Sequence, residues 1–226
     1  MAHWYLIHGA ASSRLTWTKQ LRALASVERA ELPPLDDVAP PELIDAWADW
    51  CLQRLTQPSV IVGHSMGGAI AQVMALKNPS LVQGLVLAGT GPHLPVNSDL
   101  ITALKQDPQQ ALNRITRWSL AKTADPTLLE RSLEQVKTID PHRAYREFLA
   151  CTYFDVRSRL NLITCPKAVI AGAQDRMTPS TLTNLFREAW ADAPYFTIPD
   201  AGHMMMLEQP ERFNEVLADI ADQFNW

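Results

Sequence analysis

Five short stretches of the chain are apolar at nearly every position: "WYLIHG" (4–9), "SVIVGHS" (59–65), "GLVLAGT" (84–90), "KAVIAGAQD" (167–175) and "YFTIPDAG" (195–202). None alternates apolar with polar, so each predicts a strand buried on both faces rather than one half-exposed to water. Most of the segments between them have the length and spacing of helices. The expectation is an α/β protein, a mostly parallel sheet flanked by helices. Ligands of such sheets bind beyond the carboxyl ends of the strands.

One segment breaks the alternation. From Pro92 to Leu160 no stretch reads as a strand, and the spacing predicts an all-helical insert. Asp107-Pro108, Asp125-Pro126 and Asp140-Pro141 each pair an N-cap acceptor with a proline whose missing N–H costs nothing at the first helical position. Three helices are therefore expected to start there. Their apolar stripes are Ala111, Leu112, Ile115 and Trp118; Leu129, Leu133 and Val136; and Tyr145, Phe148, Leu149 and Thr152. The stripes form a small bundle, and some of their side chains are expected to roof a pocket above the strand ends.

Composition narrows the chemistry. A chain of 226 residues with 47% hydrophobic content fills one substantial core. The start, "MAHWYLIHGA", lacks a basic leader and a cleavage region, and no apolar stretch is long enough to span a bilayer, so a cytoplasmic protein is expected. Cys51, Cys151 and Cys165 are odd in number and widely spaced, which fits reduced core residues rather than a metal site or redox pair. A net charge of −4, with no basic run interleaved with aromatics, argues against nucleic acid as a partner. The insert nevertheless carries a net +2 and the remainder −6, so an acidic carrier protein joins a small or acyl-type substrate as a candidate partner. Arg143 and Arg146 are the basic side chains singled out for that role.

The candidate chemistry centres on "VGHSMGG" (62–68). Gly63 and Gly67 flank Ser65 at the positions where a strand turning abruptly into a helix leaves no room for a Cβ. Such a turn lifts the serine hydroxyl clear of the sheet and aims the first N–H groups of the helix at the same point. A serine attacks only if a base removes its proton. Of six histidines, His203 is the best placed, on a loop between "YFTIPDAG" and a closing helix that starts at Pro210; His64 and His8 suit packing and loop-shaping roles. Asp175, at the end of "KAVIAGAQD", is the preferred partner for the imidazole over Asp200, Asp155 and Asp99.

These residues carry a resemblance to the α/β-hydrolase superfamily. "IHGAASSRLTW" resembles its His-Gly loop, "VGHSMGGAIAQVMALKNPSLVQGLVLAGTGP" its nucleophile elbow and following strand, "FDVRSRLNLITCPKAVIAGAQDRMTP" its acid-bearing strand, and "DAGHMMMLEQPERFNEVL" its histidine loop and last helix. The resemblance implies a core of residues 1–91 and 161–226 with a helical cap at 92–160, a catalytic triad of Ser65, Asp175 and His203, and an oxyanion hole made by the backbone N–H groups of Ala10 and Met66. It implies hydrolysis of a carboxylic ester through an acyl-enzyme, with no cofactor and no metal. Hydrolysis of a lactone or a C–C bond on the same triad, or ligand binding without turnover, are the alternatives. The chain departs from the pattern at its N-terminus, where the usual hairpin is missing and about six strands are expected. It departs again at "VERAELPPLDDVAPPELIDAW", which lacks the family's Asp-x-x-Gly-x-Gly loop.

Overall fold

The computed structural model describes residues 2–226. Six parallel strands form one sheet: β1 (His3–Ile7), β2 (Val27–Arg29), β3 (Ser59–His64), β4 (Val82–Ala88), β5 (Lys167–Gly172) and β6 (Tyr195–Ile198), in the order β2-β1-β3-β4-β5-β6. The five apolar runs supply five of the strands. The sixth, β2, is three residues within the segment that departs from the family pattern, and it is short and half-exposed because it lies at the sheet edge. The central strand β3 is buried at all six positions, as a run without alternation requires.

The chain steps from β1 outward to β2 and then returns past β1 to β3. That reversal splays the connections after β1 and β3 apart and leaves a crevice between them. Gly9 follows β1 and Ser65 follows β3, so both stand at the crevice. Registry aligns the strand ends: Ile7 pairs with Gly63, His64 with Ala88, and Ala88 with Ile170.

Helices α1 (Leu43–Leu52) and α2 (Met66–Lys77) cover one face, packing Trp47, Ile70 and Met74 against Tyr5, Ile61 and Leu85. On the other face a short 3-10 turn (Arg14–Trp17) and the closing helices α8 (Met205–Glu208) and α9 (Pro210–Phe224) bury Trp17, Met206, Phe213 and Leu217 against Leu6, Val62 and Val86. Helix α7 (Ser180–Ala189) follows the β5 loop.

Between β4 and β5 lie α3 (Ser98–Gln106), α4 (Pro108–Ser119), α5 (Pro126–Val136) and α6 (Pro141–Tyr153). The Asp107, Asp125 and Asp140 carboxylates accept from the N–H groups of Gln110, Thr127 and His142, so all three Asp-Pro starts are genuine caps. The sequence misses α3, whose cap is Asn97 and whose start has no proline. Two of the stripes also differ. Trp118 is 45% exposed, and α6 buries Ala144, Glu147, Phe148, Ala150 and Cys151 rather than Tyr145, Leu149 and Thr152. A buried glutamate on that face is invisible to a hydrophobic pattern; its partner is described below.

Candidate active site

Ser65 sits at φ 54, ψ −119, a conformation that L residues rarely adopt. Hydrogen bonds on both sides of the residue hold it there. Its N–H donates to Ala88 O at 3.0 Å, and its carbonyl accepts from Gly68 N–H at 2.8 Å and from the Thr90 hydroxyl at 2.9 Å. A Cβ on Gly63 would collide with the Gly67 carbonyl, and one on Gly67 with the carbonyls of Ile7 and His8. Glycine is therefore demanded on both sides of the serine by backbone contact.

The loop after β5 presents Asp175, and the loop after β6 presents His203. Asp175 Oδ2 lies 2.9 Å from His203 Nδ1. Its carboxylate is fully committed: Oδ1 accepts from the N–H groups of Met177 and Thr178 at 2.8 and 2.9 Å, and Oδ2 from the Thr178 hydroxyl at 2.6 Å. Burial alone would raise its pKa, but the facing His203 and the Thr178 bonds outweigh burial and hold the group at about 2. Asp175 is thus ionised at neutral pH, beside a ring whose Nδ1 bonds fix its orientation. Every hydrogen bond of that ring is made at Nδ1; Nε2 makes none among the described residues and is available to a reacting proton.

The other histidines have structural work. His64 Nε2 donates to the His203 carbonyl at 3.0 Å, and the two rings lie 4.6 Å apart between centroids. Burial depresses the His64 pKa to about 3, so it stays neutral as a prop beneath the His203 loop. His8 bonds the Gly9 carbonyl through Nδ1 at 2.9 Å, and burial lowers it to about 4. Neither titrates near neutrality. Among the rival carboxylates, Asp155 pairs with Arg157 at the surface, and Asp99 and Asp200 are exposed.

Met66 opens α2, so its N–H has no intrahelical acceptor. The Ala10 N–H also donates to nothing among the described residues, whereas the next one, Ala11 N–H, is taken up by Glu147 Oε2 at 2.7 Å. Glu147 reaches down from α6, is 1% exposed, and is held in turn by Arg143 Nε at 2.7 Å. Ala11, at φ 50, is a strained turn residue fixed by a carboxylate from the far side of the chain.

Sequence reasoning missed Glu147, Thr90 and Thr178. Thr178 had a signal, since Asp-x-x-Thr is a spacing at which an aspartate collects turn N–H and hydroxyl donors; Glu147 had none. Of the basic pair singled out for a carrier, Arg143 pairs through Nε with Glu147 and Arg146 donates through Nη2 to the carbonyls of Leu35 and Val38, so both half-buried side chains are already engaged within the fold.

Two chambers meet above Ser65, and the roofing expected of the insert is supplied by Leu112 and Ile115 in one and by Leu100 and Trp118 in the other. Residues 5–216 match the model of the alpha/beta hydrolase family. The pimeloyl-[acyl-carrier protein] methyl ester esterase of Chromobacterium violaceum is 26% identical over 97% of this chain and 92% of its own length. The enzyme of the same description from Aromatoleum aromaticum is 26% identical over 95% and 96%. Among solved structures, a thermophilic esterase superposes with a TM-score of 0.86 at 26% identity, covering 99% of this chain and 91% of its own. The enol-lactonase of Burkholderia xenovorans LB400 superposes at 0.84 with 18% identity, covering 98% and 92%, a likeness of fold. Sheet order, elbow and family match agree, and the chain belongs to the alpha/beta hydrolase family.

Proposed function

We propose that the chain is a carboxylic ester hydrolase that works through Ser65, His203 and Asp175, with residues 92–160 as the cap over a core of 1–91 and 161–226. The observation that carries this is the Asp175–His203 pair, oriented through Nδ1 with Nε2 uncommitted, on the wall of the chamber that also holds the strained Ser65. In the first step Ser65 Oγ bonds to the ester carbon while its proton passes to His203 Nε2, and the Met66 and Ala10 N–H groups take the oxyanion. The C–O bond then breaks as Nε2 returns the proton to the leaving alcohol. Water repeats the sequence on the acyl-enzyme and releases the acid. Asp175 holds the ring and stabilises the imidazolium.

Ester hydrolysis is favoured over lactone or C–C cleavage by the relatives named methyl ester esterases. Their names also support an acyl-carrier-protein substrate, and with it an acidic partner. Exposed basic side chains of the cap, such as Arg117, Lys122 and Arg131, remain for that contact.

The test is turnover of p-nitrophenyl esters beside labelling by a fluorophosphonate. Ser65→Ala is expected to lose both while keeping the thermal transition of the parent; retained steady-state turnover in Ser65→Ala removes the serine mechanism. Labelling of Ser65 without ester turnover would point instead to lactone or C–C hydrolysis or to a binding protein.

A further inference from the structure

Both chambers above Ser65 are lined mainly by apolar side chains, and Ala10, Ser65, Phe148 and Met177 belong to both. What separates them is charge. The first, on the His203 side, has no aspartate, glutamate, lysine or arginine on its wall, and His64 there is kept neutral by burial. The second has one such residue, Arg176, set among Leu94, Leu100, Trp118 and Leu182. No carboxylate lines it.

Arg176 follows Asp175 on the loop after β5 and reaches across to the end of α4. Its Nη2 donates to the carbonyls of Arg117 at 3.2 Å, Trp118 at 3.3 Å and Leu120 at 3.0 Å, which sets the guanidinium against the Trp118 wall of the chamber. The tether uses one corner of the fork. Among the described residues the Nε and Nη1 donors make no hydrogen bond, and no aspartate or glutamate pairs with this arginine. A cation already held by one nitrogen loses little freedom when it binds an anion through another.

The direction of proton transfer says which half of an ester meets that cation. The leaving oxygen takes its proton from His203 Nε2, so the alcohol lies on the His203 side, while the carbonyl oxygen faces Met66 and Ala10. A methyl group therefore sits in the first chamber, and the acyl chain runs into the second toward Arg176. A chain joined to a carrier would pass Arg176 on its way out; a chain ending in a carboxylate would stop there. Resting on the ester-hydrolase reading above, we propose a further activity on free methyl half-esters of short dicarboxylic acids, which Arg176 selects over neutral esters by pairing with the far carboxylate. Water and the half-ester give the dicarboxylate, methanol and a proton. Along an apolar wall without a cation the far carboxylate would lose water and gain nothing, whereas the guanidinium returns charge-assisted hydrogen bonds.

The experiment compares initial-rate kcat/KM for monomethyl adipate and dimethyl adipate, counted per ester group, in the unaltered protein and in Arg176→Gln. A partly screened ion pair predicts a preference for the half-ester of roughly three- to tenfold at low salt, shrinking as salt is added. Arg176→Gln should abolish or reverse the preference, and Arg176→Lys should retain part of it. The ratio of the two substrates is read because a loosened α4 end or Asp175 loop would slow both alike. A preference for the diester in the unaltered protein, or a ratio unmoved by Arg176→Gln, overturns the assignment. Moving the carboxylate to the alcohol half, as in 4-acetoxybutyrate against butyl acetate, should bring no gain; an equal gain there overturns the placing of the acyl chain. Failure to turn over any ester sinks the hydrolase reading itself, whereas turnover of both adipates without regard to charge sinks only this inference.

Discussion

A non-glycine residue at φ 54 costs on the order of 1–3 kcal/mol, and at Ser65 that cost is offset by Thr90, Ala88 and the first turn of α2. Asp175 shows a similar balance of burial against donors, and its sign sets the acid behaviour of the protein. Its carboxylate is held below the ordinary value of 3.8, at about 2, so its contribution to stability is complete above the ordinary range and is lost as pH falls through about 2. Between those limits the stability gap separating Asp175→Asn from the parent should shrink by on the order of 2 kcal/mol, as read by denaturant titration. For the same reason Asp175 should contribute no proton to the acid limb of log kcat/KM, and a limb steeper than one proton would show it titrating there. Glu147 has the opposite tendency, since burial raises its pKa against Arg143 and the Ala11 N–H. Glu147→Ala leaves that N–H and Arg143 unpaired and should cost roughly 2–3 kcal/mol, with a lower kcat because the adjoining Ala10 N–H loses its support. Glu147→Gln keeps an acceptor and should recover most of the kcat. That Asp175 and His203 meet beside the chamber of Ser65 could be anticipated from the sequence because each of the three follows a strand in a distinctive loop. Glu147 could not, because its meaning depends on Ala11, 136 residues away.

At the level of elements, the punctuation was the most legible part. Asp107, Asp125 and Asp140 carry their own acceptors into each helix start, and the caps they make are local. Asp125→Ala should cost about 1 kcal/mol, measurable as a lowered thermal transition, and should leave ester kinetics alone because α5 meets the site only through its far half. Helix α3 was illegible for the complementary reason: Asn97 caps it without a proline to mark the turn. The face of α6 was misjudged because, apart from Phe148, it is small residues and a paired carboxylate that fit against the core. The edge strand β2 escaped because three residues pairing with one neighbour need no apolar run.

At the scale of the whole molecule, the end of α4 ties the insert to the loops that follow β5 and β6. The carbonyl of Ser119 accepts from His203 N–H at 2.7 Å and from Met204 N–H at 3.2 Å. Arg176, next to Asp175, donates to the carbonyls of Arg117, Trp118 and Leu120. Glu208 accepts from Ala121 N–H at 2.7 Å and Gly202 N–H at 3.0 Å. The free carbonyls of a helix C-terminus are thus shared between the loops that bear Asp175 and His203. A lid that swings open on lipid would have to break these bonds. Rates measured across the aggregation threshold of a long-chain ester are therefore expected to rise smoothly; a jump at the threshold would show that the helices do open.

The same junction bears on how such proteins diversify. Exchanging residues 92–160 for the corresponding part of a cousin would replace the carbonyl ledge on which the imidazole loop rests, so most recombinants should fold and yet be catalytically crippled. Those that work will be the ones whose donor segment ends α4 with the same spacing, so that Arg176 and Glu208 of the retained core still meet the carbonyls and the N–H at its end. Novelty in substrate preference then comes more readily from side-chain replacement inside the existing roof than from shuffling the roof itself.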